Sequence, residues 1–307
     1  MVRVLFLGGL GRSGTTLLER LLGELPGVCP LGEVVHLWER DVAKDERCAC
    51  GKHFSDCEFW REVGLRAFGG WHNVDVWRIL ALRDTVERTR HIPRLASLRM
   101  SPARRALVDE YADWYSRLYQ AAAEVSGASV LVDSSKHPAL AYCLRFAPRL
   151  DLRVVHMVRD SRGVAYSWTK RVTRPESDDT DEMTRYSPAR SAMLWNAHNV
   201  AFTLLRRCGV PTLRILYEKL LADPVAVLRE VAGFAELPAP DVDFIDGGVA
   251  ELGSCHSAAG NPMRFTVGPV PLRRDDAWRS ALQPGQRRLV TALTAPLLGR
   301  YGYRDRA

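Results

Sequence analysis

The hydrophobic residues of this chain are concentrated in short segments, four of which end in polar or charged residues. These segments are RVLFLGG near the N-terminus, SVLVDSSKHP near 129–138, LRVVHMVRDSRG near 152–163 and VPTLRILYEKL near 210–220. Each contains an apolar run of about five residues and leads toward a helical pattern, as a buried strand followed by a helix does. Strands that alternate with helices predict an α/β fold with a P-loop-like central parallel sheet flanked by helices. We expect the first segment to be a central strand.

The carboxyl ends of parallel strands meet at one edge of a sheet, and ligands of such folds bind there. Leucines recur at helical spacing over residues 17–25, until a Pro-Gly pair ends the predicted helix. The pattern is therefore strand, glycine-rich turn, helix. It predicts that Gly11–Thr16, Lys136, Arg159 and Tyr217 lie along the same edge.

Residues 38–128 carry several tryptophans and helical periodicity between the first and second of these strands. In VDEYADWYSRLYQAAAEV, Val108, Tyr111, Tyr115, Leu118 and Tyr119 form one face of a helix. We predict a helical insertion that caps the active site, within a single domain spanning 1–307. A strongly polar segment at about 169–190 predicts a surface loop that is placed to serve as a lid.

The chain has 307 residues, 26% of them charged, and a formal net charge of +7. This charge permits binding to nucleic acid, an anionic membrane or an anionic small molecule, and it also fits a merely basic surface. No block of like charges and no nucleic-acid-binding motif is present, which favours a polyanionic small ligand. The N-terminus lacks a leader pattern, and no window approaches the roughly 18 apolar residues of a membrane span, so we expect a cytoplasmic protein.

The turn GGLGRSGTT has the shape of a phosphate-binding loop without its lysine. A nucleotide-hydrolysing loop reads G-x-x-x-x-G-K-[ST], whereas here Thr15 follows Gly14 directly. The backbone N–H groups at a helix N-terminus still favour an anion, and Ser13, Thr15 and Thr16 add hydroxyl donors. Arg12 then supplies the cation from a different place.

The segment VVHMVRDSRGVAYSW predicts a second anion contact. Arg159 stands at a strand end, and Ser167 follows about two helical turns into the next helix. A guanidinium and a hydroxyl in these places can hold a phosphate remote from the first. Two separated phosphate sites at one sheet edge fit a nucleotide that is phosphorylated at both ends of its ribose.

Four motifs in this order resemble those of the sulfotransferases that use 3′-phosphoadenosine 5′-phosphosulfate (PAPS). They are GRSGTT, RDSRGVAYS, LYEKLLADP and GNPMRFTVGPVPLRRDDAW. The cytosolic steroid and phenol enzymes have lysine where this sequence has Arg12. The arginine makes the sequence resemble the branch of tyrosylprotein and bacterial carbohydrate sulfotransferases. The resemblance implies a metal-independent enzyme that transfers a sulfuryl group in line to a hydroxyl and releases adenosine 3′,5′-bisphosphate.

The resemblance also implies roles for individual residues. For the donor, it assigns the 5′-phosphosulfate to Arg12, Ser13, Gly14, Thr15 and Thr16, the 3′-phosphate to Arg159 and Ser167, and the adenine to Tyr217. It further suggests Ser257 as a donor-side contact and Arg264 as another contact to the 3′-phosphate, with Arg273 and Arg274 as alternatives.

For catalysis, the resemblance implies that Glu33 in VCPLGEVVHLWER is the general base. Lys136 and Arg12 are implied to stabilise together the charge that grows on the leaving oxygen as the S–O bond breaks. A salt-bridged Glu33 and a solvated Lys136 are the structural alternatives. His36 and His198 are competing bases.

Several alternatives remain open on the sequence. A Mg²⁺-dependent P-loop kinase would use Asp133 as its metal ligand, and a non-catalytic nucleotide-binding module would need no base. The acceptor is a small molecule, a carbohydrate or a lipid head group, with a peptide tyrosine less favoured. Neither the acceptor nor the oligomeric state follows from the sequence.

Three cysteines cluster in CACGKHFSDCEFW, namely Cys48, Cys50 and Cys57, with His53 between them. A Cys3His zinc site is one interpretation, although the spacing lacks the paired C-x2-C of zinc motifs. Reduced structural thiols or a redox-labile pair are the preferred interpretation, and we expect no metal.

Overall fold

The computed structural model describes residues 1–97, 99–173 and 182–303. Five parallel strands form the central sheet in the order β2-β3-β1-β4-β5. Their bounds are Val2–Gly8 (β1), Val28–Gly32 (β2), Val130–Lys136 (β3), Leu150–Val158 (β4) and Thr212–Leu216 (β5). The predicted α/β fold with a central parallel sheet is confirmed, and the first strand is the middle one.

Helices lie on both faces of the sheet. In chain order they are α1 (Thr15–Gly23), α2 (Glu58–Phe68), α3 (Val76–Val86), α4 (Ile92–Ala96), α5 (Pro102–Ser126), α6 (Pro138–Leu144), α7 (Ser161–Thr169), α8 (Pro188–Arg207), α9 (Tyr217–Ala222), α10 (Pro224–Phe234), α11 (Trp278–Ala281) and α12 (Pro284–Arg300). A short π-helical turn covers Leu37–Val42.

Strand β1 is apolar on both sides because each face of the sheet is covered. Leu5 and Leu7 belong to a core cluster with residues of α1 and α10, whereas Val4 and Phe6 belong to the cluster with α5, α6 and α8. All four side chains are buried. This burial on both faces explains the continuous hydrophobic run that predicted the strand.

The predicted helical insertion consists of α2, α3, α4 and α5, which lie between β2 and β3 in the chain. The apolar face predicted for α5 is correct, since Val108, Tyr111, Tyr115, Leu118 and Tyr119 are completely buried. These side chains pack into the same cluster as Trp38 and the strands β1 and β3. The insertion is therefore attached to the sheet through a shared core.

Two parts of the fold differ from the sequence-based expectation. β2 was not predicted, because it is short and contains Pro30, which a strand accepts at an edge where no ladder N–H is needed. A small antiparallel sheet near the C-terminus was also not predicted. It is formed by Ile245–Asp246 (β6), Val249–Leu252 (β7) and Gly268–Pro271 (β8).

None of the helices in the described ranges combines the length and the apolar composition that crossing a bilayer requires.

Phe202 on α8 fixes the end of β1. Its ring is completely buried, lies 5.3 Å from the ring of His156, and occupies the space where a side chain on Gly8 would point. We expect Phe202→Ala to lower the free energy of unfolding by about 3 to 5 kcal/mol, because the cavity cannot fully close. Urea denaturation followed by circular dichroism measures this change.

The control is Val200→Ala on the same helix, where the side chain is 44% exposed. We expect this variant to change the unfolding free energy by no more than about 0.5 kcal/mol. Equal losses in the two variants would contradict the role assigned to Phe202.

Candidate active site

A cleft of about 740 Å³ opens at the carboxyl edge of the sheet, within the size range of ligand sites. Its walls are built from the loop between β1 and α1 and from the ends of the other central strands. The sequence-predicted residues that line it are Arg12, Gly14, Thr15, Thr16, Glu33, Lys136, Arg159, Ser167 and Tyr217. A smaller cavity of about 400 Å³, between the end of α1, Cys29 and Phe59, includes neither Arg12 nor Lys136.

The loop before α1 has a backbone conformation that suits anion binding. Gly14 caps the helix with φ 90°, and a β-carbon there would lie 2.4 Å from the ring of Tyr217. Among the described residues, no side chain caps the N-terminus of α1. The first N–H groups of this helix, beginning at Thr15 and Thr16, are therefore available to an anion.

Arg12 lies beside this helix terminus with few hydrogen-bond partners. Its guanidinium stacks over Trp168 at 5.3 Å, and Nη2 donates to the sulfur of Met183 at 3.2 Å. Its Nε is buried and has no hydrogen-bond partner within the described residues. A partly buried guanidinium whose Nε donor is unused is suited to a charge-assisted hydrogen bond with an anionic group.

Arg159 links the loop to the C-terminal part of the chain. It donates to the carbonyl oxygens of Arg12 at 3.1 Å and Asp275 at 3.2 Å, and its guanidinium lies 4.4 Å from the centre of the Tyr217 ring. The carboxylate of Asp275 lies 3.4 Å away. These contacts hold the Arg159 side chain at the end of β4, on the wall that also carries Ser167.

Glu33 and Lys136 form an ion pair at the ends of β2 and β3. Burial opposes ionisation of Glu33, but the positive charge of Lys136 and its hydrogen bond to the carboxylate outweigh it, so the pKa of Glu33 is below its ordinary value. Glu33 is therefore a carboxylate at neutral pH. Its side chain is 14% exposed and that of Lys136 is 10% exposed, which leaves both within reach of a bound molecule.

A second carboxylate, Glu19 on α1, holds the backbone and side chains next to Glu33 and Lys136. Glu19 is buried and accepts hydrogen bonds from the N–H of Gly32 at 2.6 Å and the hydroxyls of Ser134 at 2.6 Å and Ser257 at 3.1 Å. Burial raises the pKa of Glu19, and these donors oppose that rise. The end of β2, the end of β3 and the C-terminal segment are thus tied to one side chain.

Three predicted donor contacts lie outside the cleft. Ser13 is buried in the loop, and Ser257 points to Glu19. Arg264 is 1% exposed and donates to the carbonyl oxygens of Ser257 and Arg47, both at 2.8 Å. In this arrangement Arg264 joins two chain segments, and the alternatives Arg273 and Arg274 are exposed and do not line the cleft.

The segment that carries Arg264 nevertheless contributes to the cleft through Gly260, Asn261 and Met263. Sequence reasoning passed over these residues because it looked for a cation. Gly260 has φ 118°, and a β-carbon there would lie 2.8 Å from the carboxylate of Glu33. The glycine in GNPMRF was therefore the available signal, since no larger residue fits against Glu33 without a shift.

Both histidines considered as bases line the cleft. His36 Nε2 lies 3.8 Å from the Glu33 carboxylate, and His198 Nδ1 lies 3.4 Å from the carbonyl oxygen of Gly9. Burial lowers the pKa of His36 to about 3 and that of His198 to about 4. Both side chains are neutral at pH 7, and Glu33 is the ionised group beside Lys136.

The predicted lid at 169–190 is described only in part, because residues 174–181 lie outside the described ranges. On its far side, Glu182, Met183, Thr184 and Tyr186 line the cleft. The ring of Tyr186 packs against Trp168 at 4.5 Å. The segment is thus adjacent to Arg12, and its action as a lid stays a prediction.

The fold is that of a P-loop-like α/β protein, and its cleft brings Arg12, Lys136 and Arg159 to one edge of the sheet. The model of the sulfotransferase family matches residues 5–241, and the chain belongs to this family. No curated protein matches the chain.

One solved structure agrees with this fold. The chain is similar to the sulfotransferase domain of the Synechococcus PCC 7002 olefin synthase, with 20% identity and a TM-score of 0.50 over 96% of this chain and 94% of that chain. It is also similar to a sulfotransferase from Alicyclobacillus acidocaldarius, with 16% identity and a TM-score of 0.44 over 98% and 94%.

Asp133 is enclosed in the core and does not line the cleft. Tyr119 donates to it at 2.6 Å, the N–H of Ser135 donates at 2.8 Å, and burial raises its pKa to about 7. The raised pKa contributes stability that is complete below about pH 4 and is lost as the pH rises through 7. As the pH rises through this range, we therefore expect the unfolding free energy to fall less in Asp133→Asn than in the wild-type protein. The difference between the two falls should be at least about 1 kcal/mol.

Denaturant titrations of both proteins at pH 5 and pH 8 measure this difference. Asp41, whose pKa burial also raises to about 7, contributes a fall of the same sign to both proteins and cancels in the comparison. Parallel pH profiles would show that Asp133 is already ionised in the folded protein.

Proposed function

We propose that this protein transfers a sulfuryl group from PAPS to a hydroxyl of a small-molecule, carbohydrate or lipid acceptor, and releases adenosine 3′,5′-bisphosphate. The observation that carries the proposal is one cleft, in a member of the sulfotransferase family, where an uncapped helix terminus and two arginines face an ionised carboxylate. The uncapped helix terminus and the two arginines suit a doubly anionic donor. The carboxylate suits a proton acceptor.

The donor supplies the activated sulfuryl group, and the protein supplies its binding contacts. The N–H groups and hydroxyls of Thr15 and Thr16, with Arg12, form the site for the 5′-phosphosulfate. Arg159 and Ser167 form the site for the 3′-phosphate. Support comes from the buried Nε of Arg12, for which the described part of the chain offers no hydrogen-bond partner, and from the contacts that hold Arg159 in place.

Tyr217 is proposed to lie against the adenine. Its ring contacts the loop at Gly14 and stacks under the guanidinium of Arg159. An aromatic face between the two proposed phosphate sites fits a planar base there.

Glu33 is proposed to take the proton from the acceptor hydroxyl while the oxygen attacks sulfur. Its low pKa in the free protein depends on Lys136, so a shared Lys136 changes its basicity. When Lys136 turns toward the leaving oxygen of the donor, Glu33 loses part of this stabilisation and its pKa rises toward a value useful for a base. Lys136 then stabilises first the Glu33 carboxylate and afterwards the leaving oxygen of the donor.

The wall next to the insertion is polar and of mixed charge. Glu39, Arg40, Lys44 and Glu46 line it, and Arg40 pairs with Glu46 at 3.0 Å. Such a wall suits a hydrophilic acceptor that carries several hydroxyl groups. Asp133, the metal ligand that the kinase alternative requires, lies outside the cleft, which favours sulfuryl transfer over that alternative.

Donor binding is tested by titration calorimetry with adenosine 3′,5′-bisphosphate, AMP and ATP-Mg²⁺. We expect tight binding that requires the 3′-phosphate and that weakens by about 2 to 4 kcal/mol in Arg159→Ala, because a charge-assisted contact is lost. The control is Arg288→Ala, an exposed arginine on α12, which should change the affinity by less than about 0.5 kcal/mol. A preference for ATP-Mg²⁺ that ignores Arg159 would overturn the proposal.

The role of Glu33 is tested by Glu33→Gln, which keeps the shape of the side chain but cannot accept the proton. We expect turnover to fall by about 10²-fold or more while bisphosphate affinity is kept, since Lys136 remains available to the donor. Turnover is measured with labelled donor and the first acceptor obtained from a panel of phenols, sugars and lipid head groups. The control is Glu124→Gln, far along the chain on α5.

Unchanged turnover in Glu33→Gln would assign the base elsewhere. Lost bisphosphate binding would instead mean that Glu33 supports the architecture of the cleft.

A further inference from the structure

Three cysteines and one histidine meet on the side of the insertion, outside the cleft. Cys48, Cys50 and Cys57 come from the segment before α2, and His256 comes from the C-terminal part of the chain. The three sulfurs and the ring nitrogen all lie within 4.8 Å of one another. His53, the histidine nearest to these cysteines in sequence, instead places Nδ1 2.9 Å from the carbonyl oxygen of Asp45.

Four of the six distances between ligand atoms in this cluster are close to those of a tetrahedral zinc site. Zn–S bonds of about 2.3 Å and Zn–N bonds of about 2.0 Å place neighbouring ligand atoms about 3.5 to 3.8 Å apart. The sulfur of Cys57 lies 3.6 Å from that of Cys48 and 3.8 Å from that of Cys50. Nδ1 of His256 lies 3.3 Å from the Cys57 sulfur and 3.9 Å from the Cys48 sulfur.

A disulfide does not account for this arrangement. Two bonded sulfurs lie about 2.05 Å apart, and a pair among three cysteines leaves the third without a partner. All three are free thiols in the structure, and Cys48 and Cys57 are completely buried. A disulfide also gives the imidazole of His256 no role, although its Nδ1 points at two of the sulfurs.

A tight backbone turn carries the first two cysteines. The turn from Cys48 to Lys52 is closed by two hydrogen bonds, of Gly51 N–H to Cys48 C=O at 2.9 Å and Cys48 N–H to Lys52 C=O at 3.0 Å. These bonds fix the positions of Cys48 and Cys50 relative to each other.

His256 is fixed in the orientation that the site requires. Its ring stacks on Phe59 at 5.3 Å with an interplanar angle of 17°, and its carbonyl oxygen accepts a hydrogen bond from the Trp60 indole at 2.7 Å. Both aromatic residues belong to α2, which begins directly after Cys57. The histidine therefore docks on the same structural unit that carries the cysteines.

We propose that Cys48, Cys50, Cys57 and His256 bind one structural Zn²⁺ ion. Each cysteine releases its thiol proton to solvent on binding and coordinates as a thiolate, while His256 coordinates as the neutral imidazole through Nδ1. No coordination position remains for a substrate, so the ion has a structural role. It connects the insertion to the segment that includes Ser257, Gly260 and Asn261.

The test begins with metal analysis of the full-length chain, purified under reducing conditions and reconstituted with Zn²⁺. We expect about one zinc ion per chain and, after replacement by Co²⁺, the intense visible absorption of a tetrahedral thiolate site. Cys57→Ser and His256→Ala should weaken zinc binding by more than about 10-fold. His53→Ala and Cys208→Ser, which remove a histidine and a thiol outside the cluster, should keep it.

Thermal unfolding with and without bound zinc provides a second measurement that does not depend on the variants or on activity. We expect the metal-free protein to unfold at a lower temperature, because ligand binding to the folded state stabilises it. Failure of the reduced wild-type protein to bind zinc would overturn the proposal. A disulfide among these cysteines in the purified protein, detected by mass spectrometry after alkylation, would also overturn it.

Discussion

The ion pair between Glu33 and Lys136 is the interaction on which the arrangement of the cleft depends. It joins the ends of two neighbouring parallel strands, β2 and β3, at the point where the chain leaves the sheet. A largely buried ion pair is favourable only when its surroundings fix the geometry and supply further hydrogen bonds. Glu19 provides such support by accepting from Gly32 and Ser134, the neighbours of these residues. The proposed reaction uses this pair because an anionic donor competes with Glu33 for the same cation.

Two residues that we propose to stabilise the transition state have an unusual backbone conformation. Arg12 has φ 73° and Lys136 has φ 67°, a region that costs a residue with a side chain about 1 to 3 kcal/mol. Such strain persists only where the surrounding structure fixes it, and here both residues lie where a strand ends and the chain turns. The conformation places two cations at one edge of the sheet. We interpret the strain as the cost of that placement.

The sequence predicted what depends on local pattern. The apolar runs of β1, β3, β4 and β5 were long enough to be recognised, and the order of the motifs predicted which residues meet at the sheet edge. The direction in which a side chain points, and the pairing of residues far apart in the chain, could not be predicted in this way. Arg264 was recognised as a cation in a closing segment, but its side chain turns toward carbonyl oxygens of Ser257 and Arg47. Cysteine spacing suggested His53, whereas the fold brings His256 to the sulfurs from 199 residues away.

The edge strand β2 explains why the C-terminal segment matters to the position of Glu33. β2 has a ladder partner on one side only, and Pro30 removes one of its donors. On the side of β2 away from β3, the N–H of Ala258 donates to the carbonyl oxygen of Leu31 at 2.8 Å, and its carbonyl oxygen accepts from the N–H of Glu33 at 3.1 Å. These two bonds extend the backbone pairing of the sheet past β2. Ala258 lies two residues after His256. The proposed zinc ion, by fixing His256 on the insertion, would also limit how far Glu33 can move from Lys136. The stability of the insertion and the position of the proposed base would then be coupled.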